Sequence, residues 1–340
     1  MAYLKPDIKG LIHSPAKVGD LSIQMVETIR QDNGGGVTFG LPQVDGVKKL
    51  LPLRPGDLLT VWGYTSFWKS HLMDWWALQE VKRIIARGNT NDIVIKVTWE
   101  QSVEEDTLSW LASASEIPVS KMMHGSLDTE EWKTLEDATL SRQVTPLWLM
   151  GHSLMESLQL HRPRPRMTLS EVAECIRIVV NEIAGVRLNP RLIILDYLQR
   201  IPPERDNRDS RREYVMENVN LSKDLGIAYG CPVVLGVQVG RQVLDRAEAM
   251  PILSDAQESS AIEQTSDKVL GLWYPIKTRR GGMVDNISVT PRMLIMELLK
   301  QKLGVAPISW ILDIDPEKGT VEGARERAYT VAASQKKYSA

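Results

Sequence analysis

Gly63, Lys69 and Ser70 stand at the spacing of a phosphate-binding loop, within the segment Gly63-Tyr64-Thr65-Ser66-Phe67-Trp68-Lys69-Ser70. Such a loop directs backbone N–H groups at an anion where a helix begins, while the Lys ammonium contacts the outer phosphates and the Ser hydroxyl coordinates Mg²⁺. The apolar run Leu58–Trp62 precedes this segment, and a helical pattern follows it. The sequence therefore predicts that residues 63 to 70 bind ATP together with Mg²⁺.

Trp68 occupies the position where such loops usually have a second glycine. A large side chain there restricts the backbone angles that turn the amides inward, or it crowds the phosphates. On this loop alone, an ordinary turn between a strand and a helix with a surface Lys69 is at least as good an interpretation.

Three further polar side chains end or follow apolar runs that we predict to be strands. Glu100 follows Ile93–Trp99, Asp196 follows Leu192–Leu195, and Gln238 ends a third run. The carboxyl ends of parallel strands meet at the edge where α/β sheets bind ligands. There an Asp can hold the water of a metal, a Glu can deprotonate an attacking water, and a Gln amide can meet the γ-phosphate. Each residue alone also fits an ordinary strand end, but together with the loop they predict metal-assisted phosphoryl transfer.

The elements that must position these residues alternate between short apolar runs and longer helical patterns, which is typical of βαβ units. We predict eight strands, at Leu58–Trp62, Asp92–Trp99, Leu147–Met150, Leu192–Leu195, Val233–Gln238, Val269–Trp273, Leu294–Leu299 and Ser309–Ile314. Helices are predicted over Ser70–Arg87 and Ser210–Gly226, and Thr168 with Glu171 predicts a capping box for a helix that Gly185 ends. The fold class is α/β, with a mostly parallel sheet flanked by helices and a hairpin-rich C-terminal region.

Composition restricts the class of protein. The net charge of −2 gives no overall basic character, so any nucleic-acid contact must be local. The two cysteines, Cys175 and Cys231, lie in apolar stretches and are predicted to be buried reduced thiols. No apolar run reaches the roughly 18 to 20 residues that span a bilayer, so we predict a cytoplasmic protein with no membrane partner. Most of the ten Trp residues are predicted to pack in the core, with Trp68 as the exception.

Several segments resemble the DnaB family of replicative helicases. The most specific are Leu195-Asp196-Tyr197-Leu198-Gln199 and the motif from Ser254 to Gln264. The resemblance runs from about Leu21 to Ile314 and includes Gly35–Pro42, Leu53–Leu59, Gly125–Asp128 with Trp132, and Lys300–Lys302. It implies a RecA-like P-loop NTPase fold. Together with the Pro-, Gly- and polar-rich start and the polar end of the sequence, it predicts three parts: residues 1–34 as an arm with a linker helix at Leu21–Arg30, residues 35–323 as the ATPase domain, and residues 324–340 as a polar tail.

The resemblance also implies roles for individual residues. Lys69 and Ser70 would bind phosphate and Mg²⁺, and Asp196 would be the metal-associated acid. Glu100 would be the catalytic base, and Gln238 would sense the γ-phosphate. Lys300 and Lys302 would reach the nucleotide of a neighbouring subunit in a ring, expected to be a hexamer, around single-stranded DNA. The residues expected to face DNA are Arg200, Arg208, Arg241, Gln257, Glu258 and Ser260.

Three departures from the family pattern open a second interpretation. Lys302 replaces the usual Arg finger and lacks its planar bidentate fork, and Gln257 replaces a basic residue that would neutralise a DNA phosphate. Trp68 is the third. They favour a nucleotide-binding, hydrolysis-poor ring or scaffold subunit that clamps DNA or recruits a partner. We expect no N-terminal helical domain of the family before Gly35, and a replication or mobile-element protein as a further partner.

Overall fold

A central nine-stranded sheet organises the chain. The structure, a computed structural model, describes residues 13–31, 36–161, 166–183, 185–204, 211–255 and 260–327. The sheet strands are β1 (Leu58–Gly63), β2 (Asp92–Thr98), β3 (Leu147–Met150), β4 (Asn189–Asp196), β5 (Val233–Gln238), β6 (Lys268–Trp273), β9 (Met293–Gln301), β10 (Ile308–Asp315) and β11 (Thr320–Glu326), and a separate small hairpin consists of β7 (Met283–Val284) and β8 (Ile287–Ser288).

The sheet has a parallel part and an antiparallel part. Its strand order is β11-β10-β9-β6-β1-β5-β4-β2-β3. The six strands from β6 to β3 pair in parallel, so their carboxyl ends share one edge. The strands β9, β10 and β11 pair antiparallel with their neighbours, which a chain can do with short turns and no crossover helix.

Helices lie between the parallel strands, with one further helix before β1. They are α1 (Pro15–Gln31), α2 (Lys69–Arg87), α3 (Val103–Ser115), α4 (Val119–Met123), α5 (Thr129–Gln143), α6 (Leu154–Leu160), α7 (Leu169–Ile178), α8 (Arg211–Tyr229) and α9 (Ser260–Thr265). Of these, α2 and α8 make the most contacts with the sheet. The capping box at α7 is confirmed, because Thr168 N donates to Glu171 Oε2 at 2.7 Å and Glu171 N donates to Thr168 Oγ1 at 3.3 Å. A π-helical turn, Val179–Ile183, continues α7 towards Gly185.

The predicted α/β fold is confirmed, and the predicted strands lie within a few residues of those observed. β11 is the sheet strand that the sequence prediction missed. It pairs with β10 through Glu326, so the predicted start of a polar tail at residue 324 falls inside a strand. Gly323 interrupts its pattern and its outward residues are polar, which explains why the sequence reads as a tail.

The core confirms the packing prediction for most Trp residues and corrects it for one. Seven of the ten are buried, including Trp68 at 6% exposure, whereas Trp132 on α5 is 55% exposed. The prediction that Trp68 lies outside the core is therefore wrong, and Trp132 is the exposed one. Cys231 is buried, Cys175 is partly exposed, and neither forms a disulfide.

The helix predicted at Leu21–Arg30 is longer than expected, since α1 begins at Pro15. Three of its apolar residues, Leu21, Ile23 and Val26, are 45 to 61% exposed. Within the part of the chain that the structure describes, no helix is both long and apolar enough to cross a membrane.

Candidate nucleotide-binding site

The predicted phosphate-binding loop connects the last residue of β1, Gly63, to the first residue of α2, Lys69. The Lys69 side chain folds back over the loop, where its Nζ donates to the carbonyl oxygens of Gly63 at 2.9 Å and Tyr64 at 3.0 Å. Burial lowers the pKa of Lys69 to about 8, although the carboxylates of Asp196 and Glu100 favour its charged form. The loop thus holds a buried ammonium group at a helix N-terminus, where an anion is also favoured by the helix dipole.

Trp68 takes the backbone conformation that glycine normally supplies at this position. Its φ is 66°, in the left-handed region, and Ser66 has a φ of 63°. The indole ring lies 5.2 Å from the imidazole ring of His71 on the next turn and is packed in the core. Burial of the ring compensates for a conformation that costs about 1–2 kcal/mol in a residue with a Cβ. The expected conflict between Trp68 and the loop geometry is therefore resolved by packing.

Asp196 ends β4 beside the loop and has the properties of a metal-associated carboxylate. It is 2% exposed, and within the described ranges its Oδ1 has no hydrogen-bond partner. Burial raises its pKa, while the charge of Lys96 and a hydrogen bond from the Ser70 side chain oppose that rise. An orphaned buried oxygen next to a Ser hydroxyl fits the oxygen ligands that Mg²⁺ prefers, with further positions left for water and phosphate.

Glu100 lies on the same edge, two residues beyond β2. Its carboxylate is half exposed, and Oε1 lies 3.9 Å from a guanidinium nitrogen of Arg200. Arg200 also donates from Nε to the hydroxyl of Tyr197 at 3.1 Å. Glu100 is therefore accessible to solvent and to a substrate, and it is held near the segment that follows β4.

Gln238 connects the end of β5 to the loop. Its Nε2 donates to Thr65 Oγ1 at 2.7 Å. Its backbone exchanges two hydrogen bonds with the side-chain amide of Gln199, at 2.9 and 3.0 Å. The predicted sensor is thus already in contact with the phosphate-binding loop, and Gln199 is a contact that the sequence prediction did not identify.

A buried charge cluster behind the site was also missed. Lys96 on β2 is 1% exposed, and its ammonium forms ion pairs with Asp74 on α2 and Asp106 on α3. Burial disfavours the charged form of Lys96, but the two carboxylates outweigh it and raise the pKa of this lysine. Burial raises the pKa of Asp74 to about 7. A lysine in the middle of a strand that is buried along its whole length was the available signal.

A cavity of about 600 Å³ borders His71, on the first turn of α2. Its walls come from α3, α4 and the turn between β10 and β11, and they include His71, Gln101, Ser109 and Lys318. His71 directly follows Ser70 and Gln101 directly follows Glu100, so two lining residues are next in sequence to the predicted Mg²⁺ ligand and the predicted base. It offers space for the nucleoside part of a nucleotide next to its phosphates.

The two predicted finger residues lie at the opposite edge of the sheet. Lys302 N donates to Asp267 O at 2.8 Å, and Asp267 in turn accepts from Leu58 N, at the start of β1. The phosphate-binding loop lies beyond the other end of β1, about 17 Å away at roughly 3.3 Å per residue. Lys302 therefore does not reach the loop of its own chain.

Lys300 and Lys302 also differ in their surroundings. Lys300 Nζ donates to the carbonyl oxygens of Glu263 at 2.6 Å and Ser266 at 2.8 Å, so its charge is used at the end of α9. The side chain of Lys302 is 66% exposed and lies 3.7 Å from Asp267. Lys302 is the one of the two that projects from the surface.

The structure brings only some of the predicted DNA-facing residues to the carboxyl edge. Arg200 and Arg241 are exposed there, after β4 and β5, and Ser260 is exposed at the first turn of α9. Arg208, Gln257 and Glu258 lie outside the described residues. The basic side chains at this edge, Arg200 and Arg241, thus form a local positive region, in keeping with the near-zero net charge of the whole chain.

Comparison with known proteins decides the family. A sequence profile described as the DnaB-like helicase C-terminal domain matches residues 36–280, most of the chain. The chain belongs to that family. The match contains the phosphate-binding loop, Glu100, Asp196 and Gln238, so the residues assembled at the carboxyl edge lie within the DnaB-like region.

Curated relatives of this DnaB-like chain are named replicative helicases. It is 26% identical over 279 residues to the replicative DNA helicase DnaB of Leifsonia xyli subsp. xyli, covering 80% of this chain and 55% of the relative. It is 27% identical over 285 residues to the replicative DNA helicase DnaC of Bacillus subtilis, covering 81% and 57%. The chain spans a little over half the length of these relatives.

Solved structures agree with the RecA-like DnaB fold. The ATPase domain of G40P superposes with a TM-score of 0.73 at 18% identity, covering 91% of this chain and 99% of that one. A DnaB-like replicative helicase, described with its interactions with primase, gives a TM-score of 0.71 at 18% identity, covering 89% and 66%. At this level of identity the two structures establish the fold.

Proposed function

We propose that this DnaB-like chain hydrolyses ATP and uses it to translocate along single-stranded DNA as a ring, a hexamer, with ATP sites between subunits. The observation that carries the proposal is the separation of two half-sites on one sheet. The carboxyl edge holds the loop, Asp196, Glu100 and Gln238, and the exposed Lys302 lies at the amino edge. A complete site therefore needs a second copy of the chain, which a head-to-tail ring supplies at every interface.

The half-site at the carboxyl edge has a role for each residue. Lys69 and the loop amides bind the phosphates, and the adjoining cavity receives the nucleoside. Ser70 and Asp196 would hold Mg²⁺, which neutralises the phosphate charge when it is bound. Glu100 orients and deprotonates the attacking water, and Gln238 exchanges its contact with Thr65 for one with the γ-phosphate.

Single-stranded DNA is proposed to lie at the same edge. The exposed Arg200 and Arg241 follow the two strands that carry Asp196 and Gln238, so cations that can bind backbone phosphates begin next to the nucleotide ligands. The solved DnaB-like helicase is described with primase, and a replication or mobile-element protein is the corresponding further partner proposed for this chain.

A second candidate is a ring or scaffold subunit that binds nucleotide and hydrolyses it poorly. Two observations favour it: the projecting finger is a lysine, and Glu100 lies near the cation of Arg200. Lysine contacts a transition state as a point charge, without the two parallel hydrogen bonds of arginine.

Phosphate release from ATP, with and without single-stranded DNA, separates the two candidates. We expect DNA-stimulated release by the wild type, and loss of at least about 100-fold in Lys69→Ala and Glu100→Gln. Lys133→Ala, on an exposed face of α5, is the matched control and should retain wild-type turnover. Nucleotide binding without release in the wild type would rule out the motor and support the scaffold.

A further inference from the structure

The side-chain amide of Gln199 continues the pairing of β4 with β5. Backbone pairing between these strands ends at Leu195 and Leu235. Beyond it, Gln199 Nε2 donates to Gln238 O at 3.0 Å, and Gln238 N donates to Gln199 Oε1 at 2.9 Å. These two bonds satisfy the backbone N–H and C=O of Gln238, as pairing with a neighbouring strand otherwise would. The segment after β4 is therefore fixed to the backbone of Gln238 and not merely adjacent to it.

The side chain of Gln238 extends this connection to the phosphate-binding loop. It donates to Thr65, an exposed hydroxyl in the middle of the loop. A γ-phosphate that draws the amide away from Thr65 would break this bond and pull on the end of β5. Because Gln199 holds both backbone groups of Gln238, that displacement is passed to the segment after β4.

Arg200, the next residue, connects the same segment to Glu100. Its guanidinium lies 3.9 Å from Glu100 Oε1 with both side chains about half exposed, at 47% and 50%. Such an exposed ion pair contributes little free energy, so a DNA phosphate can replace Glu100 as the partner of Arg200. A rotation of the segment would therefore change which anion the guanidinium faces.

We propose that Gln199 is a positioning residue that couples the nucleotide state sensed by Gln238 to the orientation of Arg200, and so to the affinity for single-stranded DNA. The inference rests on the proposed function, because it takes the γ-phosphate and the DNA backbone as the two ligands. Gln199 itself contacts neither ligand. Its effect is a coupling free energy. Nucleotide must therefore change the affinity for DNA by the same factor by which DNA changes the affinity for nucleotide.

The test is a binding measurement on the full chain that requires no hydrolysis. Fluorescence anisotropy of a labelled oligothymidylate gives Kd in ATPγS and in ADP, and the ratio of the two values is the coupling. The variants are Gln199→Ala, which removes both bonds, and Gln199→Glu, which keeps the acceptor and removes the donor. Gln159→Ala, on the exposed helix α6, is the control of the same residue type.

We expect a wild-type ratio of at least about fivefold, falling to near one in Gln199→Ala and to an intermediate value in Gln199→Glu. Gln159→Ala should keep the wild-type ratio. Thermal unfolding checks that each variant is folded, and a ratio is unaffected by a general loss of active protein. If Gln199→Ala does not fold, the Gln199→Glu ratio decides.

Two results would overturn the inference: a wild-type ratio near one, or an unchanged ratio in the Gln199 variants. Both can occur in a chain that hydrolyses ATP in response to DNA, which would leave the proposed function intact. Conversely, a chain that couples the two ligands through Gln199 but releases no phosphate would support the inference and contradict the motor. The failure of the inference and the failure of the motor are thus distinguishable.

Discussion

The indole ring of Trp68 lies 5.2 Å from the imidazole ring of His71, although Trp68 has a φ of 66° inside the phosphate-binding loop. The backbone thus keeps the left-handed conformation of the missing glycine, while the side chain is removed into the core. With Trp68 in place of glycine, the loop keeps its backbone conformation, and the packing of the indole in the core stabilises that conformation.

Trp68→Gly should therefore destabilise the chain while preserving nucleotide binding. Losing a buried Trp side chain costs about 3–5 kcal/mol, and relief of the left-handed conformation returns about 1–2 kcal/mol. A net loss of about 1–4 kcal/mol in the free energy of unfolding is expected from urea denaturation. Ser66→Gly, at a φ of 63° with an exposed side chain, is the control and should change stability by less than about 1 kcal/mol. A more stable Trp68→Gly would contradict the packing argument.

The affinity for ATP should fall as the pH rises above about 8, the pKa to which burial lowers Lys69. Below that pH the ammonium is already charged and binding takes up no proton. Above that pH, Lys69 must take up a proton when ATP binds, because the triphosphate raises the pKa of the lysine. The Kd for ATP therefore rises about tenfold per pH unit. Lys69→Arg stays protonated and should give a flat profile by titration calorimetry. A flat wild-type profile would exclude a role for the Lys69 charge.

Lys96→Met should destabilise the chain by about 3–5 kcal/mol near pH 8, because it leaves the carboxylates of Asp74 and Asp106 buried without their cation. The sign of the pH effect follows from Asp74. Its folded pKa of about 7 exceeds the ordinary value of 3.8, so the folded chain binds more protons than the unfolded chain between those values. Stability from this group therefore falls as the pH rises, and removing Lys96 enlarges that fall.

Urea denaturation of Lys96→Met at about pH 5.5 and about pH 8 checks this expectation, with a larger loss at the higher pH. Lys133→Met, at an exposed lysine, should cost less than about 0.5 kcal/mol at both. Equal losses at both pH values would show that the charge cluster does not determine the effect.

Mixing variants tests whether the site lies between subunits. In a random equal mixture of Lys69→Ala and Lys302→Ala chains, about a quarter of head-to-tail interfaces combine an intact loop with an intact finger. ATP turnover should recover to about that fraction, although each variant alone is inactive. Lys69→Ala mixed with Glu100→Gln should not recover, since both defects lie on the same half-site. Absence of recovery in the first mixture would contradict a site that two subunits share.

The sequence by itself determined the α/β fold and the residues that gather at the carboxyl edge. Gly63, Glu100, Asp196 and Gln238 each stand at or just beyond the end of a strand, and parallel pairing brings such ends together whatever the details of packing. Their catalytic and ligand-binding roles, and those of the DNA-facing residues, stay predictions. The motifs at Leu195–Gln199 and Ser254–Gln264 indicated the family, because they are specific to DnaB-like helicases, whereas the fold alone is shared with other RecA-like proteins.

Only the tertiary structure decided the placement of side chains that depend on distant neighbours. Burial of Trp68, the pairing of Lys96 with two other elements, and the use of Lys300 at the end of α9 in place of a projecting finger all result from packing between segments far apart in the chain. The bonds between Gln199 and Gln238 join residues 39 positions apart. The local sequence pattern predicts where strands end and where the chain turns. The burial of a side chain and its ion-pair partners depend on which surfaces meet, and those surfaces meet only when the sheet and its helices pack together.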